Sequence, residues 1–256
     1  MAVRRFEGKV ITVTGATSGL GRNAAVAFAA EGAKVVAAAR REEQGQRTVE
    51  MIQEAGGEGV FVSTDVGNSA DIQRMVNTAV ETYGGLDLAY NCAGISGEGW
   101  ANPAADYPES TWHEVIATNL TSIFLCMKYQ IPEMLKRGGG AIVNMASVAG
   151  LVGTPGGVGY VATKHGVVGI TKAAALEYAP RGISINAVAP GVVYNEMLEE
   201  GIKQVPDLEA DMIQRHPIGR LGQMEEVTRT VMWLCSGEAP FLMGQTLTID
   251  GGYTIA

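Results

Sequence analysis

The sequence predicts a doubly wound α/β fold, with one parallel sheet and helices on both faces, and three observations support this. Short apolar runs, β-branched or alanine-rich, alternate with helix-like stretches along all 256 residues, the pattern of repeated strand-helix-strand units. The 34 glycines fall mostly at the joints between these stretches and form no low-complexity tract. No linker, composition shift or internal repeat divides the chain, and a chain of this length can bury one full core. A single domain over residues 1–256 is the expectation.

Lys9 to Thr14 (KVITVT) is too short for a buried helix and is closed by Gly15. Gly15-Ala-Thr-Ser-Gly19-Leu-Gly21 leads into an alanine-rich helix ending at Glu31-Gly32, and Ala33 to Ala39 reads as a second buried strand. Such a unit requires a right-handed crossover and a parallel pair. Arg41 to Ala55 reads as helix and Gly59 to Ser63 as strand. Ser69 reads as the cap of a helix to Tyr83, which Gly84-Gly85 closes. Leu86 to Tyr90 is a fourth strand. A loop over Ile95 to Pro108 follows, then a long helix from Ser110 to Arg137 with a kink expected at Pro132. Ala141 to Met145, Ile183 to Val188 and Gln245 to Ile249 complete the strands, and Tyr160 to Tyr178 and Glu225 to Cys235 are helices. The polar, Met-rich stretch near 192–216 reads as a mobile helical flap.

A formal net charge of −8 argues against nucleic acid or an anionic membrane as partner. Cys92, Cys126 and Cys235 lack metal or redox spacing, which suits reduced thiols in a cytoplasmic protein. Residues 1–9 carry Arg4 and Arg5 but no apolar run of signal-peptide or membrane-span length. No His, Cys and Asp cluster has ligand spacing, so no catalytic metal is expected.

Thr14-Gly15-x-x-x-Gly19-x-Gly21 lies between a strand and a helix, with Thr17, Ser18 and Leu20 inside the turn. Glycines there let the backbone approach a pyrophosphate, and the helix start offers N–H groups and positive potential. Glycines alone mark only a tight turn; the strand-turn-helix setting is what points to a dinucleotide. About 20 residues on, where a carboxylate would meet the ribose 2′-OH of NAD(H), stand Ala39, Arg40 and Arg41. Guanidinium groups there suit the 2′-phosphate of NADP(H), although the same pair could simply open a solvated helix with Glu42 and Glu43.

Tyr160 and Lys164 are four residues apart, on one face of a helix. A phenol titrates near 10, too high for a base at neutral pH. An ammonium about 5 Å away, at an effective dielectric of about 20, contributes roughly 3 kcal/mol toward the phenolate. Ser147, just after a strand, is placed to bond a substrate oxygen as charge builds on it. Taken singly these residues are ordinary: a surface Tyr-Lys pair, a turn serine and, at Asn119, a buried structural amide. His113, His165 and His216 have no evident part.

On these residues the chain resembles the short-chain dehydrogenase/reductase family over essentially its whole length. The matching motifs are Thr14 to Gly21, Asn91-Cys92-Ala93-Gly94 where the family has N-N-A-G, Asn119, Ser147, Tyr160-Val-Ala-Thr-Lys164, Pro190-Gly191 and Asp250-Gly251-Gly252. The resemblance implies a Rossmann-type domain, strand order 3-2-1-4-5-6-7, a homotetramer, and hydride transfer between NADP(H) and a ketone or secondary alcohol. It implies Tyr160 as acid or base, Lys164 on the ribose hydroxyls and Asn119 on a water linked to Lys164. It implies further cofactor contacts from Asp65 and Val66 at the adenine, from Asn91, Ala93 and Gly94, and from Pro190, Gly191 and Val193, the last at the carboxamide. Asn195 stands where the family often has Thr, and an amide there can still hydrogen-bond the cofactor.

Ser96, Trp100, Leu151, Val152, Gly153, Tyr194, Met197 and Leu198 are the expected walls of a roomy, mostly apolar substrate pocket. Trp100 and Met197 could equally pack between subunits. Two other functions compete with carbonyl reduction. One is reduction of 3-oxoacyl groups on a carrier protein, with Lys136, Arg137 and Arg181 as basic contacts. The other is a non-catalytic NADP(H)-binding sensor, against which the complete Ser-Tyr-Lys set speaks.

Overall fold

Strand β1 (Val10–Thr14) is buried at every position, as a β-branched run covered on both faces must be. In the computed structural model, which describes residues 4–154, 157–195, 198, 199, 202 and 207–256, it lies in the interior of the sheet, with a strand on each side. β2 (Lys34–Ala39) and β4 (Leu88–Asn91) flank it in parallel, with Thr12 opposite Val36 on one side and Ala89 on the other. β3 (Glu58–Ser63) lies beyond β2, while β5 (Gly140–Met145), β6 (Ile183–Pro190) and β7 (Thr246–Ile249) extend the other side. The result is a seven-stranded parallel sheet in the order 3-2-1-4-5-6-7, the Rossmann-type order expected.

Side chains alternate across this sheet, so each face has its own core. Val10, Val36 and Ala38 pack with α3 (Ser69–Tyr83), α5 (Ser122–Lys136) and α6 (Val158–Tyr178). Ile11, Val13, Val35 and Ala37 pack with α1 (Gly19–Ala30), α2 (Glu42–Glu54) and α8 (Met224–Cys235). The strand order reverses between β1 and β4, and in such sheets ligands bind beyond the strand ends at that switch point. Gly15, Cys92, Ser147 and Gly191 follow four neighbouring strands onto this edge.

Several local expectations are corrected. Asn68, not Ser69, caps α3: its Oδ1 accepts from Ala70 N at 2.9 Å, while the Ser69 hydroxyl pairs with that of Tyr129 at 2.8 Å. The long helix is α4 (Glu109–Ile116), a π turn (Ala117–Thr121) and α5, and its irregularity sits at Asn119. α5 is helical through Pro132, which lies on its exposed side. β4 starts at Leu88 because Asp87, before it, turns a buried carboxylate to Val10 N (2.9 Å) and to Arg137 (3.2 Å). β6 runs on to Pro190, opposite Ile249 of β7. Within the expected flap, α7 (Leu208–Gln214) is helical, and Met197 lies outside the described residues.

Among the described residues no helix is long and apolar enough to cross a membrane. No three His, Cys, Asp or Glu side chains gather there as metal ligands. Burial pushes the Cys126 and Cys235 thiols up to about 12.

Candidate active site

Thr14 ends β1 and ties two turns together. Its hydroxyl accepts the N–H groups of Cys92 (3.0 Å) and Ala93 (3.1 Å), joining the β1 turn to the β4 turn across the switch point. Gly15 has φ +71, and a Cβ there would stand 3.0 Å from Ala93 Cα, so both conformation and space require glycine. Gly21 packs directly on the Gly15 carbonyl. Gly19 opens α1 with empty space in front of it. Ser18, the N-cap, makes no side-chain cap bond, and the first turn of α1 carries no acid. Such a helix start accepts an anion, and the residues present fit a pyrophosphate.

Arg41 leans onto this cradle: its guanidinium donates to the hydroxyls of Thr17 (3.1 Å) and Ser18 (2.9 Å). Arg40, the neighbour, is exposed. Beyond β3, Asp65 is exposed and accepts from Gly67 N at 2.9 Å, and Val66 is buried. Asn91 turns inward, with Nδ2 donating to Gln130 Oε1 (3.1 Å) and Asn144 Oδ1 (3.0 Å). Only its backbone is left at the edge. Gln130, which completes this buried network by donating to Thr12 Oγ1 at 3.1 Å, gave no local signal in the sequence.

The π turn brings the Asn119 amide, 1% exposed, to the backbone of Ile95. Oδ1 accepts from Ile95 N and Nδ2 donates to Ile95 O, both at 2.8 Å. Between them Gly94 leaves room: a Cβ there would lie 3.2 Å from Asn119 Oδ1 and 3.7 Å from Lys164 Nζ. Lys164 is 2% exposed, donates to the Met145 carbonyl at 2.8 Å, and stands 5.3 Å from the Tyr160 ring centre. β5 therefore supplies the carbonyl that holds this ammonium, and α6 supplies both the lysine and the tyrosine.

Ser147 follows β5 in extended conformation and caps a short turn (Val148–Gly150), its Oγ accepting from Ala149 N at 3.2 Å. That turn presses on α6, since a Cβ at Gly150 would lie 2.6 Å from the Lys164 carbonyl. Serine, tyrosine and lysine thus share one junction. α6 begins at Val158, which places Tyr160 in its first turn. The N-cap, Gly157, is left-handed at φ +64 and donates its N–H to the Trp100 carbonyl. Around this opening Ser96, Trp100, Leu151 and Tyr194 are exposed, Val152 and Leu198 are half-buried, and nothing stands where a Gly153 Cβ would point. Val193 is buried and bridges to Gly222. The Asn195 amide is engaged locally, donating to Val193 O (3.2 Å) and accepting from Leu198 N (3.0 Å).

A glycine turn fit for a pyrophosphate after β1, separated by β4 from the β5–α6 junction that carries a phenol beside a buried ammonium, is the equipment of a nicotinamide-dependent oxidoreductase. A family model described as enoyl-(acyl carrier protein) reductase matches residues 15–254. The chain is 44% identical over 250 residues to a cyclohexanol dehydrogenase of Acinetobacter sp. (strain SE19), covering 98% of this chain and 96% of that protein. It is 38% identical over 245 residues to the 3-oxoacyl-[acyl-carrier-protein] reductase FabG of Staphylococcus aureus, covering 95% and 97% of the two chains. Among solved structures, levodione reductase superposes with a TM-score of 0.92 at 34% identity, covering 98% of this chain and 99% of that one. An Agrobacterium tumefaciens protein provisionally described as a 2-deoxy-d-gluconate 3-dehydrogenase, with NADP bound, superposes at 0.89 with 31% identity over the full length of both chains. The chain belongs to the short-chain dehydrogenase/reductase family and is an oxidoreductase.

Proposed function

We propose that this enzyme interconverts ketones and secondary alcohols with NADP(H), using Tyr160 as the proton-transfer group. The observation that carries the reading is Lys164, an ammonium 2% exposed, held 5.3 Å from the Tyr160 ring centre by a backbone carbonyl. A buried charge is costly, and this one lies where a phenol oxygen must carry negative charge. The bound cofactor supplies or accepts the hydride. The Tyr160 hydroxyl gives its proton to the carbonyl oxygen as that oxygen gains charge, and takes it back in alcohol oxidation. Among the described residues Ser147 Oγ accepts from Ala149 N alone, which leaves its own hydrogen for the same oxygen. An ammonium carries three donors, which leaves Lys164 capacity for ribose hydroxyls. Asn119, with both amide atoms on Ile95, acts by holding the segment after Gly94 against Lys164.

NADP(H) is favoured over NAD(H) by Arg41, whose guanidinium already lies on the Thr17 and Ser18 hydroxyls and would meet a 2′-phosphate. The NADP-bound structural neighbour supports the same choice. Exposed Trp100, Leu151 and Tyr194 suit an apolar ketone, in line with relatives named for cyclohexanol and levodione.

A 3-oxoacyl group on a carrier protein is the second reading, kept by the relative from Staphylococcus aureus. The basic groups it needs are already engaged: Lys136 with Glu133 (2.8 Å), Arg137 with Asp87 (3.2 Å), and Arg181 over the Tyr178 ring (5.5 Å). Free ketones are therefore preferred. A homotetramer working in the cytoplasm completes the reading, and subunit contacts would cover the exposed Phe124, Leu176 and Phe241.

Initial rates of NADPH and NADH consumption over a panel of ketones, keto esters and sugars test this directly. Tyr160→Phe should abolish turnover while leaving cofactor binding in place, and Arg41→Ala should weaken NADPH more than NADH. Turnover surviving in Tyr160→Phe would overturn the catalytic assignment. A native preference for NADH would overturn the role of Arg41, and activity confined to carrier-bound substrates would favour the second reading.

A further inference from the structure

His216, which has no evident part on sequence grounds, is only 3% exposed. Its Nδ1 lies 2.8 Å from the carbonyl oxygen of Met212 in α7, and its Nε2 lies 3.1 Å from the backbone N of Val192, just past β6. A carbonyl can only accept and a backbone N–H can only donate, so the partners dictate the ring's state. The proton is on Nδ1, Nε2 offers its lone pair, and the imidazole is neutral. An imidazolium would set N–H against N–H at Val192.

The ring also presses on the glycine of Pro190-Gly191. A Cβ at Gly191 would stand 2.6 Å from His216 Nε2 and 3.1 Å from Asp250 Cα, so the imidazole and the Asp250 backbone together favour glycine there. From the C-terminal segment the Tyr253 ring packs on the imidazole at 5.3 Å between centres. One side chain therefore joins the far end of the 192–216 stretch to the loop at the carboxyl edge of β6.

We propose that His216 is a positioning residue: as a neutral imidazole it holds Val192 N–H, sets the Gly191–Val193 backbone for the cofactor, and makes cofactor affinity fall as the pH is lowered. This rests on the cofactor contacts that the family resemblance implies for Pro190, Gly191 and Val193, and so on the proposed use of NADP(H). Other charged groups near the ring have partners of their own. Arg220, Glu226 and Asp250 line, with His216, a cavity of about 240 Å³. Glu226 pairs with Arg220 at 2.8 Å, and Asp250 accepts from Gly252 N (3.0 Å), Thr254 N (2.9 Å) and Thr254 Oγ1 (2.7 Å). On its own segment, Asp211 and Arg215 are exposed. Imidazole is the side chain whose ordinary titration falls in the physiological range, and its protonation removes the acceptor that Val192 needs. A loop only partly in its binding-competent position lowers apparent affinity by that fraction.

The test is calorimetric titration of NADP⁺ into the wild type, His216→Phe and His216→Gln between about pH 5.5 and 8.5, a range that spans the imidazole titration. Phenylalanine fills the space without an acceptor, whereas the glutamine amide oxygen can still accept from Val192 N–H. The expected result at neutral pH is a Kd raised about three- to tenfold in His216→Phe, the worth of one hydrogen bond, and largely restored in His216→Gln. Wild-type affinity should fall on acidification by more than that of His216→Gln, which keeps every other titrating group, including the 2′-phosphate. A purely structural histidine would lower thermal stability without this split between pH profiles. Equal affinity in the wild type and a folded His216→Phe, or identical pH profiles in the wild type and His216→Gln, would overturn the proposal. If His216→Phe fails to fold by circular dichroism, the His216→Gln profile alone decides. Wild type that binds neither NADP⁺ nor NAD⁺ would sink the cofactor reading of the loop and this inference with it. Normal binding in all three proteins sinks this inference alone.

Discussion

Replacing Asn119 by Ala removes two hydrogen bonds of 2.8 Å, one to each polar group of the Ile95 backbone. Ile95 is half-buried and Asn119 is 1% exposed. Each backbone group left without a partner costs about 1–3 kcal/mol, and partial access of water to Ile95 places the pair at about 2–4 kcal/mol. At about 2–4 °C per kcal/mol for a chain of this size, the Tm of the cofactor-free protein should fall by roughly 5–12 °C. The same change releases the backbone that faces Lys164 across Gly94, so kcat, measured at a temperature where circular dichroism shows the variant folded, should fall by at least about tenfold, the equivalent of about 1.4 kcal/mol. Asn119→Asp is the discriminating control. It keeps an acceptor for Ile95 N–H but sets a second acceptor against the Ile95 carbonyl, so it should recover only part of the stability. Thermal unfolding followed by circular dichroism, with steady-state rates on the same samples, measures both effects. A Tm within about 2 °C of wild type for Asn119→Ala would refute the reasoning, because less than one kcal/mol would then be at stake.

Two further outcomes follow from the same geometry. At Gly159 of α6 an added Cβ would lie 2.8 Å from the Tyr107 hydroxyl and 3.1 Å from its ring, so Gly159→Ala should cost about 1–3 kcal/mol by overpacking. It should also disturb the adjoining Tyr160, and a denaturant midpoint equal to wild type would contradict it. The Arg220 guanidinium, helped by Gln223 N–H, pulls the Glu226 carboxyl from 4.5 down to about 2. A depressed folded value stabilises the fold above pH 4.5, and that contribution is lost as pH falls through about 2. Arg220→Ala should therefore lose a modest stabilisation at neutral pH, small because the pair is exposed, with its acid transition at the higher pH and the gap to wild type closing as pH falls from 4.5 through about 2. Coincident acid transitions would count against this account.

The parts of this protein legible in the sequence alone are those governed by local rules. Apolar period and glycine punctuation marked seven strands and their connecting helices, and a right-handed crossover then leaves few ways to assemble them. The glycine turn before α1, the four-residue spacing of Tyr160 and Lys164, and Ser147 after β5 are equally local. Tertiary structure decided what depends on residues far apart in the chain. Thr14 joins two turns 78 residues apart, Arg41 rather than Arg40 reaches the cradle hydroxyls 23 and 24 residues back, and Asn119 finds Ile95 through a π turn that no propensity marks. Asn91 turns inward because Gln130 and Asn144, 39 and 53 residues on, satisfy it there. His216 reads as a solitary histidine until Val192, 24 residues earlier, is folded against it. Hydrophobic period and turn chemistry act over a few residues and are written in order along the chain. A buried polar group instead requires a partner wherever packing brings one, so its identity is settled only when the layers close.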